Sequence, residues 1–451
     1  MAQDAAPGTA QDGGKVAAVH RSIEAVWRIE RARVIAYAAR VLRDVGLAED
    51  AAQDALVAAL ESWSASGIPA NPGAWLMTAA RHRALDRLRR AAAHARAHRA
   101  IGADLEALEA HFAPDIADAL DAARENEIGD DLLRLMFVAC HPVLPREQRV
   151  ALTLRLLGGL STPEIARAFL VAEATVAQRI VRARRALAAA KVPFEVPDAK
   201  ARAGRLASVL EVIYLIFNEG YAATSGADWM RPALCEEALR LGRMLEGLAP
   251  AEAEVHGLAA LMELQASRLP ARVDRAGRAV LLADQDRARW DRLLIRRGFA
   301  ALERAQQCAS AASGVPGPYA LQAALAACHA GAPSAAQTDW ARIVGLYDAL
   351  LRLDPSPVVR LNRAVAVGMA QGPQAALALI EALEAEPALR QYPWLPAVRG
   401  DLLAKLGRPD EARAAFESAA ALTQNARDRE VLLARAASLA PGSPPEQVLR
   451  K

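Results

Sequence analysis

The sequence predicts an all-α protein built from several separately packed domains, and three observations carry that expectation. Its 451 residues exceed what one hydrophobic core ordinarily organises. Ala, Leu and Arg dominate, aromatic residues make up only 4%, and no run shows the Val/Ile/Thr alternation of a half-buried strand. Apolar residues recur instead with helical spacing through nearly every ordered-looking segment.

Taken in order, the first stretch is small and polar. Met1 to Gly14 lacks the apolar centre of a signal peptide, and no later run reaches the roughly twenty apolar residues of a membrane span. The expectation is a cytoplasmic protein with no membrane contact and a disordered tail over 1–17. Helical spacing runs from Val19 to Val45 and from Glu49 to Trp63, and the turn-rich stretch Ser64 to Gly73 then breaks it. A helix beginning near Ala74 starts apolar, with Trp75 and Leu76, and becomes basic along its length. These elements make a first domain over 18–92, and an acidic linker occupies 93–129.

A second domain, 130–192, opens with a helix over Leu132 to Ala139, punctuated by Pro142 and Pro145. Arg146 to Leu157 forms another helix that stops at Gly158-Gly159. Ser161 and Glu164 stand at capping-box spacing, so a short helix runs from there to Phe169. Glu173 to Ala190 is the next helix after a brief turn, and Pro193 and Pro197 close the unit. The remainder, 193–451, is a further helical body with weak internal repetition. Ile343, Tyr347 and Leu350 recur as Ala376, Ile380 and Leu383 and again as Ala412, Phe416 and Ala419, near the roughly 34-residue tetratricopeptide (TPR) period. Ala364 and Gly400 occupy the matching small-residue positions where paired helices approach closely.

The formal net charge is only +3, so the distribution of charge says more than its sum. From Arg81 to Arg99, Asp86 alone interrupts a series that holds Arg83, Arg87, Arg89, Arg90 and Arg96. Ala174 to Phe194 has no acidic residue while Arg179, Arg182, Arg184, Arg185 and Lys191 accumulate. The segment Leu160 to Leu187 suits a helix-turn-helix. Ile165, Ala166, Val176 and Ile180 would face inward, leaving Thr175, Gln178, Arg179 and Arg182 to reach base edges or phosphates in a major groove. An ordinary helical hairpin with a solvated basic face fits the same pattern, although basic crowding without acidic partners argues against it. In the first domain, a single strand of opened DNA needs pockets for unstacked bases and a cationic track. Trp63, Asn71, Trp75 and the Arg81 to Arg90 series supply both types, while Trp75 taken alone reads as a core residue.

Chemistry of other kinds is hard to find. The four cysteines are scattered singly with no CxxC pair, and GxxxxGK[ST], HExxH and GxSxG are all missing. Cys140-His141 and Cys328-His329 are sequence neighbours whose side chains diverge on a helix. No catalytic residue, metal ligand or cofactor is assigned.

The segments GLAEDAAQDALVAALESW and PANPGAWLMTAARHRALDRLRR resemble the second region of sigma-70-type factors, and LSTPEIARAFLVAEATVAQRIVRARRAL resembles their fourth. With no third domain between them, the chain resembles the extracytoplasmic-function (group 4) sigma factors. YLIFNEGY, LADQDRARWD, GPYALQAALAACHA and PSPVVRLNRAVAVGMAQGP are similar to the subgroup with a long TPR-like C-terminal extension. The resemblance implies an all-α chain made of a sigma region 2 domain, a region 4 helix-turn-helix domain and a TPR-like regulatory extension. On that resemblance the chain would not itself be an enzyme, but would confer promoter specificity on core RNA polymerase, gripped at the clamp and flap. Glu49, Asp50, Gln53 and Asp54 would contact the polymerase clamp, though a solvated acidic face reads the same in sequence. Trp63, Asn71, Trp75, Arg81, His82, Arg89 and Arg90 would meet the −10 element of promoter DNA, and Thr175, Gln178, Arg179 and Arg182 the −35 element. The acidic connector would thread polymerase channels; a plain solvated linker is equally consistent with its composition. The extension would take a protein or peptide partner and stand in for a membrane-bound anti-sigma factor.

Three positions depart from the family pattern. His82 stands where Asn is common, Leu170 replaces the usual turn Gly, and Ala172 replaces the Ser or Thr cap, removing about 1 kcal/mol of capping. Two other readings compete. One is a free-standing helix-turn-helix regulator with a TPR-like sensor domain. The other is an enzymatic C-terminal body, suggested by Asn218-Glu219 and by Asp284, Asp286 and Asp291.

Overall fold

Side-chain caps set some helix starts and first-turn prolines set others. In the computed structural model, the described residues are 9–98, 120–169, 171–223, 230–275, 279–312 and 314–439. They form helices joined by turns and short 3-10 segments, with one isolated antiparallel bridge, Val273 to Ala279, and no strand among them. Residues 1–8, the centre of the acidic connector (99–119) and Leu170 lie outside the described set.

The chain divides into two units, Met1–Val212 and Ile213–Lys451. In the first, α1 (Thr9–Leu42) begins inside the stretch expected to be a tail. Asp44 accepts from Leu47 N at 2.8 Å and opens α2 (Val45–Ser66), which Gly67 closes at φ +83°. Asn71 Oδ1 accepts from Ala74 N at 3.0 Å, at the start of α3 (Pro72–His98). The turn between α2 and α3 is therefore shorter than the turn-residue composition suggested, because helix propensity carries α2 through Ser64-Ala65-Ser66.

These three helices pack on one another mostly through alanine: Ala38, Ala39, Ala48, Ala51, Ala52, Ala55, Ala59, Ala80 and Ala84 are all fully buried. Small side chains let the backbones approach closely, so few large residues are needed. Trp63 and Leu76 fill the end of the bundle.

Next come α4 (Leu120–Ala139), α5 (Arg146–Leu156), α6 (Thr162–Phe169) and α7 (Glu173–Ala189). The capping box forms as the spacing predicted: Ser161 N donates to Glu164 Oε2 at 2.7 Å, and Glu164 N donates to Ser161 Oγ at 3.4 Å. Ala172, with φ −63° and ψ 143°, offers no side-chain cap to α7. Packing of Val176, Ile180, Ala183 and Leu187 onto α5 and α6 holds that helix instead. Helix α8 (Ala199–Tyr221) begins with Asp198 Oδ1 accepting from Ala201 N at 2.8 Å. Its first half belongs to the first unit. Ser208 Oγ donates to Cys140 O at 2.6 Å, and Glu211 accepts from Arg146 and Arg149 at 2.6 and 3.0 Å.

The second unit continues through α9 (Pro232–Leu248), α10 (Ala253–Ala266), α11 (Arg292–Ala312), α12 (Pro318–Gly331), α13 (Trp340–Leu353), α14 (Pro357–Gln371), α15 (Pro373–Glu381), α16 (Trp394–Lys405), α17 (Pro409–Leu422) and α18 (Ala426–Ser438). From α9 onward each helix packs on the next, and α10 also meets α12 and α14 meets α16, the neighbour pattern of stacked helical hairpins. The repeat positions read from sequence are core positions: Ile343, Leu350, Ala376, Ile380, Leu383, Ala412, Phe416 and Ala419 are all buried. A Cβ on Gly400 would stand 3.0 Å from the Phe416 ring, so the small residue there is what lets α16 and α17 touch. Gly372, at φ +100°, alone separates α14 from α15.

Two glycines put this packing to the test. A Cβ on Gly257 would lie 2.7 Å from Ala320 N, backbone against backbone, whereas one on Gly247 meets nothing within 4 Å. Gly257→Ala is expected to lower unfolding free energy by about 1–3 kcal/mol, and Gly247→Ala to raise it by up to about 1 kcal/mol, as read from denaturant midpoints. A second expectation concerns His329, edge-on to Trp340 at 5.3 Å; burial, then Arg268 and Arg287, hold it down to about 4. The unfolded chain protonates first, near pH 6.5, so this histidine's stabilising contribution is complete above that pH and is lost as pH falls towards 4. His329→Gln should flatten the decline of melting temperature between those limits, relative to the parent chain.

Candidate nucleic-acid interface

Helix α7 has one buried and one open side. Val176, Ile180, Ala183 and Leu187 are packed, whereas Thr175, Gln178 and Arg182 are exposed and Arg179 is half-buried on the opposite side. With Glu173 in its first turn and no cap, the N-terminal end of α7 is also uncovered. Such a helix can lie in a major groove while α6 and α5 brace it from behind. The next two arginines differ from each other: Arg185 is exposed, and Arg184 turns towards α2.

The loop and basic helix of the first domain hold their residues less uniformly. Trp63 is only 1% exposed and meets Trp75 edge-on, with ring centroids 5.2 Å apart. This indole is a core side chain here, while Trp75 remains half-buried. Asn71 is exposed and spends its Oδ1 on the α3 cap. His82, Arg89 and Arg90 are exposed along α3, and Arg81 is half-buried. Arg87, from the same basic series, reaches back to α2. It pairs with Asp54 at 2.7 Å and Asp50 at 3.5 Å, and donates to Leu47 O at 3.3 Å. The cationic track is thus partly neutralised from within.

The acidic set on α2 splits. Asp50 and Gln53 are exposed and Asp54 half-exposed, flanked by outward-facing Leu47 and Val57. Glu49 is buried, at 1% exposure, and differs from the open position that its place in the acidic set suggested. It accepts hydrogen bonds from Arg31 Nη2 at 3.2 Å, Arg155 Nε at 2.6 Å, and Arg184. No local pattern signals this, because two of the three donors lie on distant helices.

Three of the five residues that suggested an enzymatic body make structural contacts. Glu219 pairs with Arg231, Asp286 accepts from Ala288 N at 2.9 Å, and Asp291 caps α11 by accepting from Leu293 N and Leu294 N at 2.8 and 3.1 Å. Burial pushes the Cys140 thiol up to about 11, and its Sγ lies 3.3 Å from Thr153 Oγ1. The second unit has an apolar groove of about 270 Å³ between α14, α16 and α18. Met369, Trp394, Val398 and Val431 line it, and the ion pairs of Asp401 with Lys405 and Arg435 edge it. Among the described residues, no helix is long and apolar enough to cross a membrane.

Residues 27–94 match the family model described as Sigma-70 region 2, and residues 134–187 that described as Sigma-70, region 4. Residues 205–306 match a family of unknown function, DUF6596. The chain is 48% identical over 390 residues to an uncharacterized protein of Rhizobium meliloti (strain 1021), covering 86% of this chain and 89% of that one. It is 33% identical over 159 residues to the ECF RNA polymerase sigma factor SigK of Mycobacterium ulcerans (strain Agy99), covering 34% of this chain and 78% of that protein. Among solved structures, yeast Tom70 aligns with 95% of this chain and 86% of its own, at a TM-score of 0.35 and 11% identity.

Given its burial and high pKa, Cys140 is expected to resist alkylation in the native chain at pH 8, where half-exposed Cys308 reacts and Cys328, whose thiol burial also pushes up, reacts more slowly. Mass spectrometry after brief iodoacetamide treatment checks this; rapid labelling of Cys140 would contradict the packing described.

Proposed function

Since the chain belongs to the extracytoplasmic-function RNA polymerase sigma factors of the sigma-70 family, we propose that it directs core polymerase to promoters by reading two DNA elements. Helix α7 reads the −35 element through Thr175, Gln178, Arg179 and Arg182. The α2–α3 turn and the outer side of α3 take the melted −10 strand, through Asn71, Trp75, Arg81, His82, Arg89 and Arg90. Trp63 supports that surface from beneath, fixing Trp75 by an edge-on contact. Asp50, Gln53 and Asp54, with Leu47 and Val57 beside them, form the polymerase-facing side of α2. The polymerase supplies the catalysis; this chain supplies its address.

The observation that carries this reading is the two-sidedness of α7: an apolar seam buried against the domain and a polar, cationic face left uncovered. A base-reading arginine contributes about 1–3 kcal/mol, and a phosphate contact costs less but acts on all sequences alike. Arg182→Ala is therefore expected to reduce promoter-dependent transcription by purified core enzyme on the order of 5- to 150-fold if it reads a base. A panel of −35 variants separates the two roles. Unchanged transcription on every template would remove α7 as the reading helix.

The extension acts as the regulatory part, with the groove between α14, α16 and α18 as its surface for a protein or peptide. A fair test keeps the first unit whole, because Ser208 and Glu211 of α8 are bonded into it. A shortened chain ending at Val212 is expected to lose most promoter-dependent transcription while still binding core polymerase. Transcription equal to the full chain would show that the extension is dispensable.

A further inference from the structure

Four helices converge on one carboxylate. Glu49 comes from α2, and its donors Arg31, Arg155 and Arg184 come from α1, α5 and α7. Glu49 and Arg31 thus lie in the segment matching region 2, while Arg155 and Arg184 lie in the segment matching region 4. The cluster joins the two DNA-reading domains to each other.

Its charge balance is unequal. Three guanidinium groups surround a single carboxylate where Arg31 is 8% and Glu49 1% exposed. The surplus is met by the nearby charge of Glu164, which acts on Arg31, and by backbone oxygens: Arg31 Nη1 donates to Gly159 O at 2.8 Å and Arg155 Nη1 to Leu160 O at 3.4 Å. Both acceptors sit in the turn that leads into α6. Arg184 also passes beside α2, since a Cβ on Gly46 would be in ordinary contact with its Cδ at 3.4 Å. Among the described residues, Glu49 is the acidic side chain bonded to all three arginines, so without it three like charges meet at the domain boundary with only the more distant Glu164 to offset them.

The arrangement also limits how far apart the two readers can stand. Trp63 lies about four helical turns along α2 from Glu49, or ~21 Å, and α3 runs back beside α2, as Arg87 on Asp50 and Asp54 shows. Thr175 lies ~14 Å along α7 from Arg184. Allowing ~7 Å across the cluster itself and ~6 Å for the turn from Trp75 to Asn71, the two reading surfaces are at most ~48 Å apart. Elements separated by about two turns of duplex lie roughly 70 Å apart. Both cannot be read while Glu49 holds Arg184.

We propose that Glu49 is an internal latch: it keeps the two DNA-reading domains of the free chain closed, and core polymerase opens them by occupying the side of α2 that Glu49 and Gln53 share. This rests on the sigma-factor reading above. The polymerase-facing residues Asp50, Gln53 and Asp54 border the latch, and Gln53 Nε2 lies 3.5 Å from Glu49 Oε1. Arg184 of α7 reaches α2 at Glu49 and beside Gly46, the chain neighbours of Asp50 and Leu47, so a partner seated on that side of α2 meets this arginine. Polymerase and the region 4 domain compete for one helix.

The test is a distance measurement on the full chain. Spin labels carried on unnatural amino acids at Ala25 of α1 and Ala188 of α7, both exposed and outside every assigned contact, are read by pulsed dipolar spectroscopy. The free parent chain is expected to give one short distance distribution. Glu49→Gln and Arg155→Gln should each shift at least half of it outward by roughly 20 Å or more, and core polymerase should do the same to the parent. Arg155→Gln leaves α2 intact and should bind polymerase several-fold more tightly. If Glu49→Gln fails to fold, Arg155→Gln carries the test alone. A parent distribution already long without polymerase, or variants of unchanged helical content that keep the short one, would overturn the latch. No polymerase binding at all would sink the functional assignment and the polymerase half of this proposal, whereas the free-chain distances judge the latch independently.

Discussion

A carboxylate with almost no access to water, shared by three arginines, constrains the first unit more than any other contact. Bringing four ionised groups out of solvent costs several kcal/mol each, and an apolar cluster of equal volume would hold the same helices with less loss. The ionic cluster contributes positional definition instead. Its directed hydrogen bonds fix α1, α2, α5 and α7 at one register, and the turn carbonyls of Gly159 and Leu160 join the same network. A second buried acid, Asp131, repeats the device between α1 and α4, pairing with Arg40 at 3.3 Å and Arg134 at 2.6 Å. The unit is thus stitched by two acids, each placed where a region 2 helix meets a helix from beyond the acidic connector.

Features set by neighbours in the chain were legible beforehand. The Ser161–Glu164 box, the missing cap at Ala172 and the apolar seam of α7 need only a few consecutive residues to be decided, and the structure has each of them. The repeats were readable for a related reason. A stacked hairpin answers mainly to the hairpins beside it, so its small and large core positions recur at a fixed period, as Ala376, Ile380 and Leu383 do.

The features that escaped sequence reading depend on distance along the chain. Glu49 looks like Asp50 and Asp54 to any local rule, but its donors Arg155 and Arg184 lie 106 and 135 residues away. Trp63, in a turn-rich context suited to catching bases, is buried because α3 folds back over it. Asn71 was read only as a base-binding residue, and its spacing to Ala74 commits Oδ1 to a helix cap. The division between the units was equally hidden. Prolines at 193 and 197 read as a border, but contacts divide the chain at Val212, inside α8.

That last feature bears on how such a protein could have been assembled and inherited. Arg149 and the Cys140 carbonyl depend on Ser208 and Glu211, which lie beyond the last residue of the region 4 match. A recombination event that excised the downstream gene segment at that match would leave a two-domain sigma factor with exposed, unsatisfied groups on its own second domain. The first unit therefore folds with residues that lie beyond its region 4 match, and descent can separate it intact only by a cut inside α8.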